Sequence, residues 1–294
     1  MAGRQPFIWA VLRSFMFVCG VLGRKAALKL GGAAGKILNF FSFSRASKAR
    51  SRCVRMLGVT EARAREIVRD SYVHFGKALV EFIMLPETCI SLDEIVAVTG
   101  EEHVRRALEL GRGVILLSAH IGCWEYAAAA LAGHGLPMSA IGAEQRDDRI
   151  TNAIAELRAK AGVKPVAKGL DLRAAIECLK RNEVLAVLFD QDAKSDGVLS
   201  PFLGHLASTP TGPIKLARKY GTPVLPAHII RGPDGVHMSF FIEPALEGPD
   251  GRPFGEDVRY AADRCNETIS KWIMASPEQW MWMYPRWEST LNDR

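Results

Sequence analysis

From Thr60 to Leu85 the chain reads TEARAREIVRDSYVHFGKALVEFIML, with apolar residues at Ile67, Tyr72, Phe75, Leu79 and Phe82. That spacing follows the helical period, so the stretch predicts one long helix, capped by Thr60 and stopped by Pro86. Beyond it the rhythm changes. GVILLSA (113–119), PMSAIGA (137–143), VKPVA (163–167), VLAVLFDQD (184–192) and PVLPAHII (223–230) are short runs of apolar and β-branched residues. Between them lie segments of helical length: YAAAALAGHG (126–135), a polar stretch around Asp148 to Ala161, LDLRAAIECLKRN (170–182) and GPIKLARKYG (212–221). Short apolar runs alternating with helices predict an α/β fold, a largely parallel central sheet flanked by helices on both faces. With 294 residues and no repeat or Pro/Ser linker, the pattern predicts a single α/β domain over residues 59–294 behind a helical segment over residues 1–58.

That first segment follows neither rhythm. PFIWAVLRSFMFVCGVLG (6–23) is apolar and bulky, broken only by Arg13, and ILNFFSF (37–43) forms a second such cluster. The charge-free run from Ser14 to Gly23 is far short of the roughly 20 residues that cross a bilayer. Arg13 also interrupts what would be the hydrophobic region of a secretory leader, so no cleavage is expected. Charge sharpens the reading. The chain carries a net +6, yet residues 1–70 hold 14 Lys and Arg against 3 Asp and Glu, which leaves the remainder acidic. Basic side chains beside long Phe, Ile, Leu and Val runs suit a membrane surface, with Lys and Arg snorkelling from a helix in the interface. Nucleic acid binding would call for basic residues interleaved with polar and aromatic surface groups and is not expected. The six cysteines are scattered without a CxxC pair, which fits neither a disulfide framework nor a zinc site and points to a reducing, cytoplasm-facing location.

Ligands of parallel sheets sit beyond the carboxyl ends of the strands. His120, after GVILLSA, and Asp190, Gln191 and Asp192, after VLAVLF, should therefore fall on one rim. Glu125 follows His120 by five positions in SAHIGCWE, and Trp124 and Glu125 open the next helix. In one continuous helix the two would stand about 140° apart, so a direct pair requires a bend at Gly122. With that bend, Glu125 can fix the imidazole tautomer and leave the other ring nitrogen as a base, an arrangement suited to deprotonating a hydroxyl that attacks an acyl carbon. The plainer alternative is a histidine packed at a strand end and a glutamate favouring a helix N-terminus. Cys123 reads better as a small buried residue than as a thiol nucleophile. Asp190 and Asp192 have no third or fourth ligand spaced to join them, so no metal is expected. Arg146, Arg149 and Arg158 are placed to meet phosphate, Arg146 nearest a strand end. GGAAGK (31–36) is not a phosphate loop, because Leu30 stands where its first glycine belongs and Ile37 follows the lysine. Without a G-x-S-x-G elbow, an H-E-x-x-H helix or a G-x-G-x-x-G turn, hydrolase, zinc peptidase and dinucleotide readings lose their usual support.

SAHIGCWE resembles the H-x4-[DE] signature of the glycerolipid acyltransferase superfamily, and the tryptophan before the acid is similar to the branch of lipid A biosynthesis acyltransferases, the lauroyl and myristoyl transferases. Two later blocks resemble the same branch. FDQDAKSDGVLSPFLGHLASTPTGPIKLARKYGTPVLPA (189–227) looks like its D-Q segment, F-G turn and T-P-T-G-P helix start, and SPEQWMWMYPRW (276–287) looks like its closing P-E-Q-W-x-W segment. The resemblance runs from the basic apolar N-terminus almost to the end. It implies His120 as general base with Glu125 as its partner, an arginine best matched by Arg146 facing phosphate or the carbonyl oxygen, and Trp124, Asp190 and Asp192 contributing to substrate binding. It implies acyl transfer from a thioester, on acyl carrier protein or another carrier, to a hydroxyl of a glycolipid such as a lipid A precursor. The implied setting is the cytoplasmic face of the bacterial inner membrane, without cofactor or metal. Acceptors open to the same chemistry are a glycerophospholipid, an amino-acid lipid or a mannosylated lipid, and the rival from another class is a membrane lipid-binding protein with the fold but no turnover. The chain departs from the branch at Ile121, Gly122, Cys123 and Trp124, where Phe-Gly-Asn-Trp is common. It departs again at Glu144, Gln145 and Arg146, where Tyr-Arg-Pro is common, and at Pro285 in a usually basic close. These differences bear on the acceptor more than on the reaction.

Overall fold

The computed structural model describes residues 5–142, 145, 147–166 and 172–291. Four helices open the chain: α1 (Gln5–Val21), α2 (Arg24–Phe41), α3 (Phe43–Leu57) and α4 (Glu61–Ile83). The last is the long helix read from the apolar spacing, and the Thr60 hydroxyl accepts the Arg63 amide at 3.2 Å as its cap. Pro86 lies in the first turn of a short helix, α5 (Leu85–Thr88), so the residue that cannot continue one helix opens the next. Among the described residues no helix is long and apolar enough to cross a membrane.

The GGAAGK stretch is a helix crossing. It lies on the face of α2 that runs antiparallel against α4, where a Cβ on Gly35 would stand 2.1 Å from the Tyr72 carbonyl oxygen and one on Gly31 2.5 Å from that of Gly76. The two backbones touch, and only glycine permits that approach. Gly32, on the same helix, would place its Cβ no closer than 3.4 Å to Val73 Cγ1. Gly35→Ala should therefore cost about 1–3 kcal/mol through overpacking, whereas Gly32→Ala should be neutral or stabilising by up to about 1 kcal/mol from helix propensity. Thermal melts of the two variants beside the parent chain check this contrast.

A 3-10 turn (Cys89–Glu94) leads into β1 (Val96–Thr99) and α6 (Glu101–Leu108). The alternating region follows: β2 (Val114–Ser118), α7 (Trp124–Gly133), β3 (Met138–Ile141), α8 (Asp148–Lys160), β4 (Lys164–Val166), α9 (Leu172–Lys180) and β5 (Val184–Leu188). Next come an antiparallel hairpin of β6 (Val198–Phe202) and β7 (His205–Thr209), then α10 (Gly212–Tyr220), β8 (Val224–Arg231), β9 (Met238–Ile242), α11 (Val258–Ala275) and α12 (Glu288–Leu291). The seven-stranded sheet has the order β1-β9-β8-β2-β5-β3-β4. From β8 to β4 its pairs are parallel, while β9 runs antiparallel to β8 and carries β1 parallel to itself at the edge. The sheet is mostly parallel, as the alternation implies, with a reversed edge. β1, β9, the hairpin and α11 lie outside the runs that the pattern singled out.

β2 runs down the middle and shows why GVILLSA reads as unbroken apolar sequence. Ile115 and Leu117 pack into one layer with α3, α4, α9 and α11, while Val114 and Leu116 pack into the other with α6 and α7. Both faces are dry, so the strand has no polar side. The β2–β5 register pairs Ser118 with Leu188. His120 and Asp190 therefore each lie two residues past the last pair, side by side at the carboxyl rim.

At the far end of α7, His134 donates from one ring nitrogen toward Glu101 and from the other to Asp93 Oδ1 at 2.8 Å, and Arg105 also binds Glu101. The hydrogen bonds to Glu101 and Asp93 raise the imidazole above its ordinary value. A raised folded-state value means that the clamp stabilises fully below the unfolded histidine value, about 6.5, and that its contribution is lost as pH climbs through the higher folded value. Between pH 6 and 8 the parent chain should lose more melting temperature than His134→Gln, by a modest margin because one of its two partners, Asp93, is largely exposed to solvent.

Candidate active site

His120 is delivered by the central strand and turned by Gly122. That glycine has φ +62°, and a Cβ there would lie 2.0 Å from the Ile229 carbonyl oxygen, so the bend requires glycine on two counts. The bend expected at this position is present, but it does not bring Glu125 to the imidazole. His120 Nδ1 instead meets Asp190 Oδ1 at 2.8 Å, and the His120 amide donates to Asp190 Oδ2 at 2.9 Å. A third donor, the Trp280 indole, reaches the same Oδ2 at 2.8 Å. Asp190 is 2% exposed. Burial pushes its carboxyl up, but the charge and hydrogen bonds of His120 and the Trp280 indole outweigh it and hold the group below the usual carboxylate range. An ionised carboxylate only accepts, so Nδ1 carries the proton and Nε2 carries the lone pair. Nε2 has no hydrogen-bond partner among the described residues, and the ring keeps 13% of its side-chain surface open.

Two aromatic rings frame the imidazole. Trp124 stands edge-on at 4.9 Å between centroids, and Tyr284 lies nearly parallel at 6.4 Å. Behind Trp124 are two small cavities lined chiefly by apolar side chains. One, of about 30 Å³, is bounded by Leu116, Ala128 and Ala186, and the other, of about 70 Å³, by Phe75, Leu79 and Phe82.

The direct His120–Glu125 pair is thus corrected. α7 begins at Trp124, so Glu125 sits in its first turn and points along the helix side toward α8. There Arg158 donates to it bidentately, Nε to Oε2 at 2.9 Å and Nη2 to Oε1 at 2.7 Å, and the Trp124 indole adds a bond to Oε1 at 3.1 Å. Burial pulls the Arg158 guanidinium down, yet the Glu125 carboxylate more than restores it. Glu125 at a helix start and Arg158 in a last turn are each favoured by the helix dipoles. The pair braces the floor beside Trp124 and holds no hydrogen bond to the imidazole.

The other candidates separate. Arg146 lies outside the described residues. Arg149 is exposed, is bound bidentately to Asp147, and places its guanidinium 5.6 Å from the Trp9 ring. Asp192 accepts from the Ser289 hydroxyl and amide, both at 2.7 Å, and from the Lys194 amide, so its oxygens pin α12. Cys123 is buried, and burial drives its thiol well above the ordinary value, which leaves no thiolate for attack. Spacing missed Asp190 as the imidazole's partner, Arg158 as that of Glu125, and both Trp280 and Tyr284. The SPEQWMWMYPRW block is the signal that could have found the last two.

A strand-end histidine held by a buried carboxylate, with its outer nitrogen unclaimed, is an arrangement with the chemistry to act as a general base on a hydroxyl. The comparisons with known proteins supply the family. The chain belongs to the bacterial lipid A biosynthesis acyltransferase family, whose sequence model matches residues 3–289, and it is an acyltransferase. It is 27% identical to the lipid A biosynthesis lauroyltransferase of Escherichia coli K12, over 79% of this chain and 74% of that protein. It is 26% identical to the lipid A biosynthesis palmitoleoyltransferase of the same organism, over 88% and 84%. It is also 25% identical to the phosphatidylinositol mannoside acyltransferase of Mycolicibacterium smegmatis, over 78% and 74%.

Proposed function

We propose that the protein moves a fatty acyl group from a thioester, carried by acyl carrier protein, to a hydroxyl of a glycolipid such as a lipid A precursor. The observation that carries the reading is the His120–Asp190 pair, with Nδ1 committed to the carboxylate and Nε2 left without a hydrogen-bond partner among the described residues. His120 Nε2 takes the proton of the acceptor hydroxyl as its oxygen attacks the thioester carbonyl. The tetrahedral intermediate then collapses, the C–S bond breaks, and the departing sulfur takes up the proton from the imidazolium. Base assistance of this kind is worth about 10²–10⁴ in rate. The first amides of α7, which a helix start leaves without intrahelical acceptors, are assigned as donors to the oxyanion. Arg146 is assigned to headgroup phosphate.

In this proposal residues 1–58 form a membrane-associating helical segment and residues 59–294 the catalytic domain. Phe17 and Val21 on α1, Ile37, Phe40 and Phe41 on α2, and Phe43 at the start of α3 all present exposed apolar side chains. They stand on a segment rich in Lys and Arg, which suits the anionic cytoplasmic face of a bacterial inner membrane. The curated relatives that act on phosphatidylinositol mannoside keep a mannosylated lipid as the second acceptor reading.

The test is to incubate purified protein with a panel of acyl thioesters, including acyl carrier protein conjugates, and total polar lipids, and to read the products by mass spectrometry. One lipid should gain the mass of one acyl group. Lipids that bind without gaining mass, with every donor, would instead identify a lipid-binding protein.

A further inference from the structure

We propose that Trp280 is a positioning residue for the catalytic pair, acting through Asp190 and reaching no substrate itself. This inference rests on the acyl-transfer reading above. The sheet sets where the Asp190 backbone lies, but not how its carboxylate is rotated. Three donors fix that rotation: the His120 amide and the Trp280 indole both take Oδ2, which leaves Oδ1 for His120 Nδ1. The backbone amide comes with the strand end. The indole comes from a strap, residues 279–284, that no strand of the sheet contains.

The strap is fastened on every side. The Gln279 side chain pairs with the Arg231 backbone, its Oε1 accepting at 2.8 Å and its Nε2 donating at 2.9 Å. The Gly122 amide donates to the Gln279 carbonyl, and the Met281 amide donates to that of His120 at 3.1 Å. From α4 the Ser71 hydroxyl donates to the Trp280 carbonyl, and from α3 Arg52 Nη1 donates to the carbonyls of Trp282, at 3.0 Å, and Tyr284. Arg286, just beyond, donates to the Ser208 carbonyl at 2.6 Å and to Thr209 Oγ1 at 2.9 Å on β7. Trp280 itself is 1% exposed. A buried indole held this firmly can keep the carboxylate plane aimed at the imidazole throughout a turnover.

Removing the indole N–H leaves Oδ2 with one donor. The negative charge shifts toward Oδ1 and attracts a positively charged ring at His120 more strongly. The other charged or titratable groups around the pair keep their places: Asp192 after β5, Tyr284 and Arg286 on and beyond the strap, and Glu125 locked to Arg158 from α7 and α8.

The experiment uses the full-length chain with Trp280→Phe and, because phenylalanine leaves a gap in the core, a second variant with 3-benzothienylalanine at position 280. That analogue keeps the bicyclic shape and replaces only the N–H by sulfur. Acyl-thioester turnover is followed from about pH 5 to 9, with kcat and KM separated and melting temperatures recorded. Both variants should lose roughly 10- to 100-fold in kcat, the scale of one hydrogen bond to a charged group. KM should stay within about twofold, and the acid limb of kcat/KM should move to higher pH. A folded benzothienyl variant whose kcat matches the parent, or whose acid limb is unmoved or lowered, overturns the positioning role alone. A parent chain that transfers no acyl group from any thioester overturns the acyl-transfer reading, and this inference with it.

Discussion

His120→Ala should reduce acyl transfer about 10²–10⁴-fold while leaving lipid binding in place. That range is the usual worth of a positioned general base, and the loss should fall on kcat, because the hydroxyl proton is removed only as the acceptor oxygen attacks. The backbone is not at risk in this substitution. The His120 amide stays bound to Asp190 Oδ2, and its carbonyl stays bound to the Met281 amide. What is lost besides the base is the single donor to Asp190 Oδ1, so a buried oxygen is left unpaired at a cost of about 1–3 kcal/mol. Melting curves therefore accompany the kinetics. A variant that melts a few degrees early yet turns over at the parent rate would show that the imidazole takes no part in the reaction.

The central architecture was legible because parallel strands buried on both faces leave an unmistakable trace. GVILLSA and VLAVLF are apolar without alternation, and the crossover helices between them have helical length. The rim rule then placed His120 and Asp190 at the same edge. Their pairing was not legible, because it depends on register. Only the alignment of Ser118 with Leu188 puts two side chains 70 positions apart at hydrogen-bond distance, and nothing in either segment announces that alignment. Local spacing offered Glu125 instead, five residues away, and the tertiary partner of Glu125 was hidden in α8. Arg158 was visible as a basic residue with possible phosphate contacts, but its bidentate grip on Glu125 requires α8 to fold back over α7. The edge strand β1 and its neighbour β9 were missed for a different reason. They pair with each other at the reversed margin of the sheet, and Phe241 on β9 is 39% exposed, so neither carries the fully apolar trace of the centre.

The two carboxylates near the imidazole make opposite predictions, and Asp190→Asn is the sharper of them. Oδ2 of Asp190 is held by two donors, the His120 amide and the Trp280 indole. An asparagine must keep its carbonyl oxygen there, because its NH₂ group cannot accept either bond. The NH₂ then faces His120 Nδ1, which can meet it only as an acceptor. The imidazole is forced into the tautomer with the proton on Nε2, the nitrogen that should take the proton of the acceptor hydroxyl. A wrong tautomer in an undisturbed frame costs about 10⁴ in kcat in serine protease triads, and a loss of about 10³–10⁴ is expected here with little change in melting temperature. Glu125→Gln does the reverse. It leaves the His120 tautomer untouched and strips the charge from the buried partner of Arg158, so the main loss should be stability, about 3–5 kcal/mol for an unpaired buried cation. Activity per folded molecule should fall less than with Asp190→Asn, and the acid limb of the rate profile should stay where the parent has it. If Glu125→Gln instead removed that limb while Asp190→Asn kept it, the glutamate, and not the aspartate on the neighbouring strand, would be the group that tunes the base.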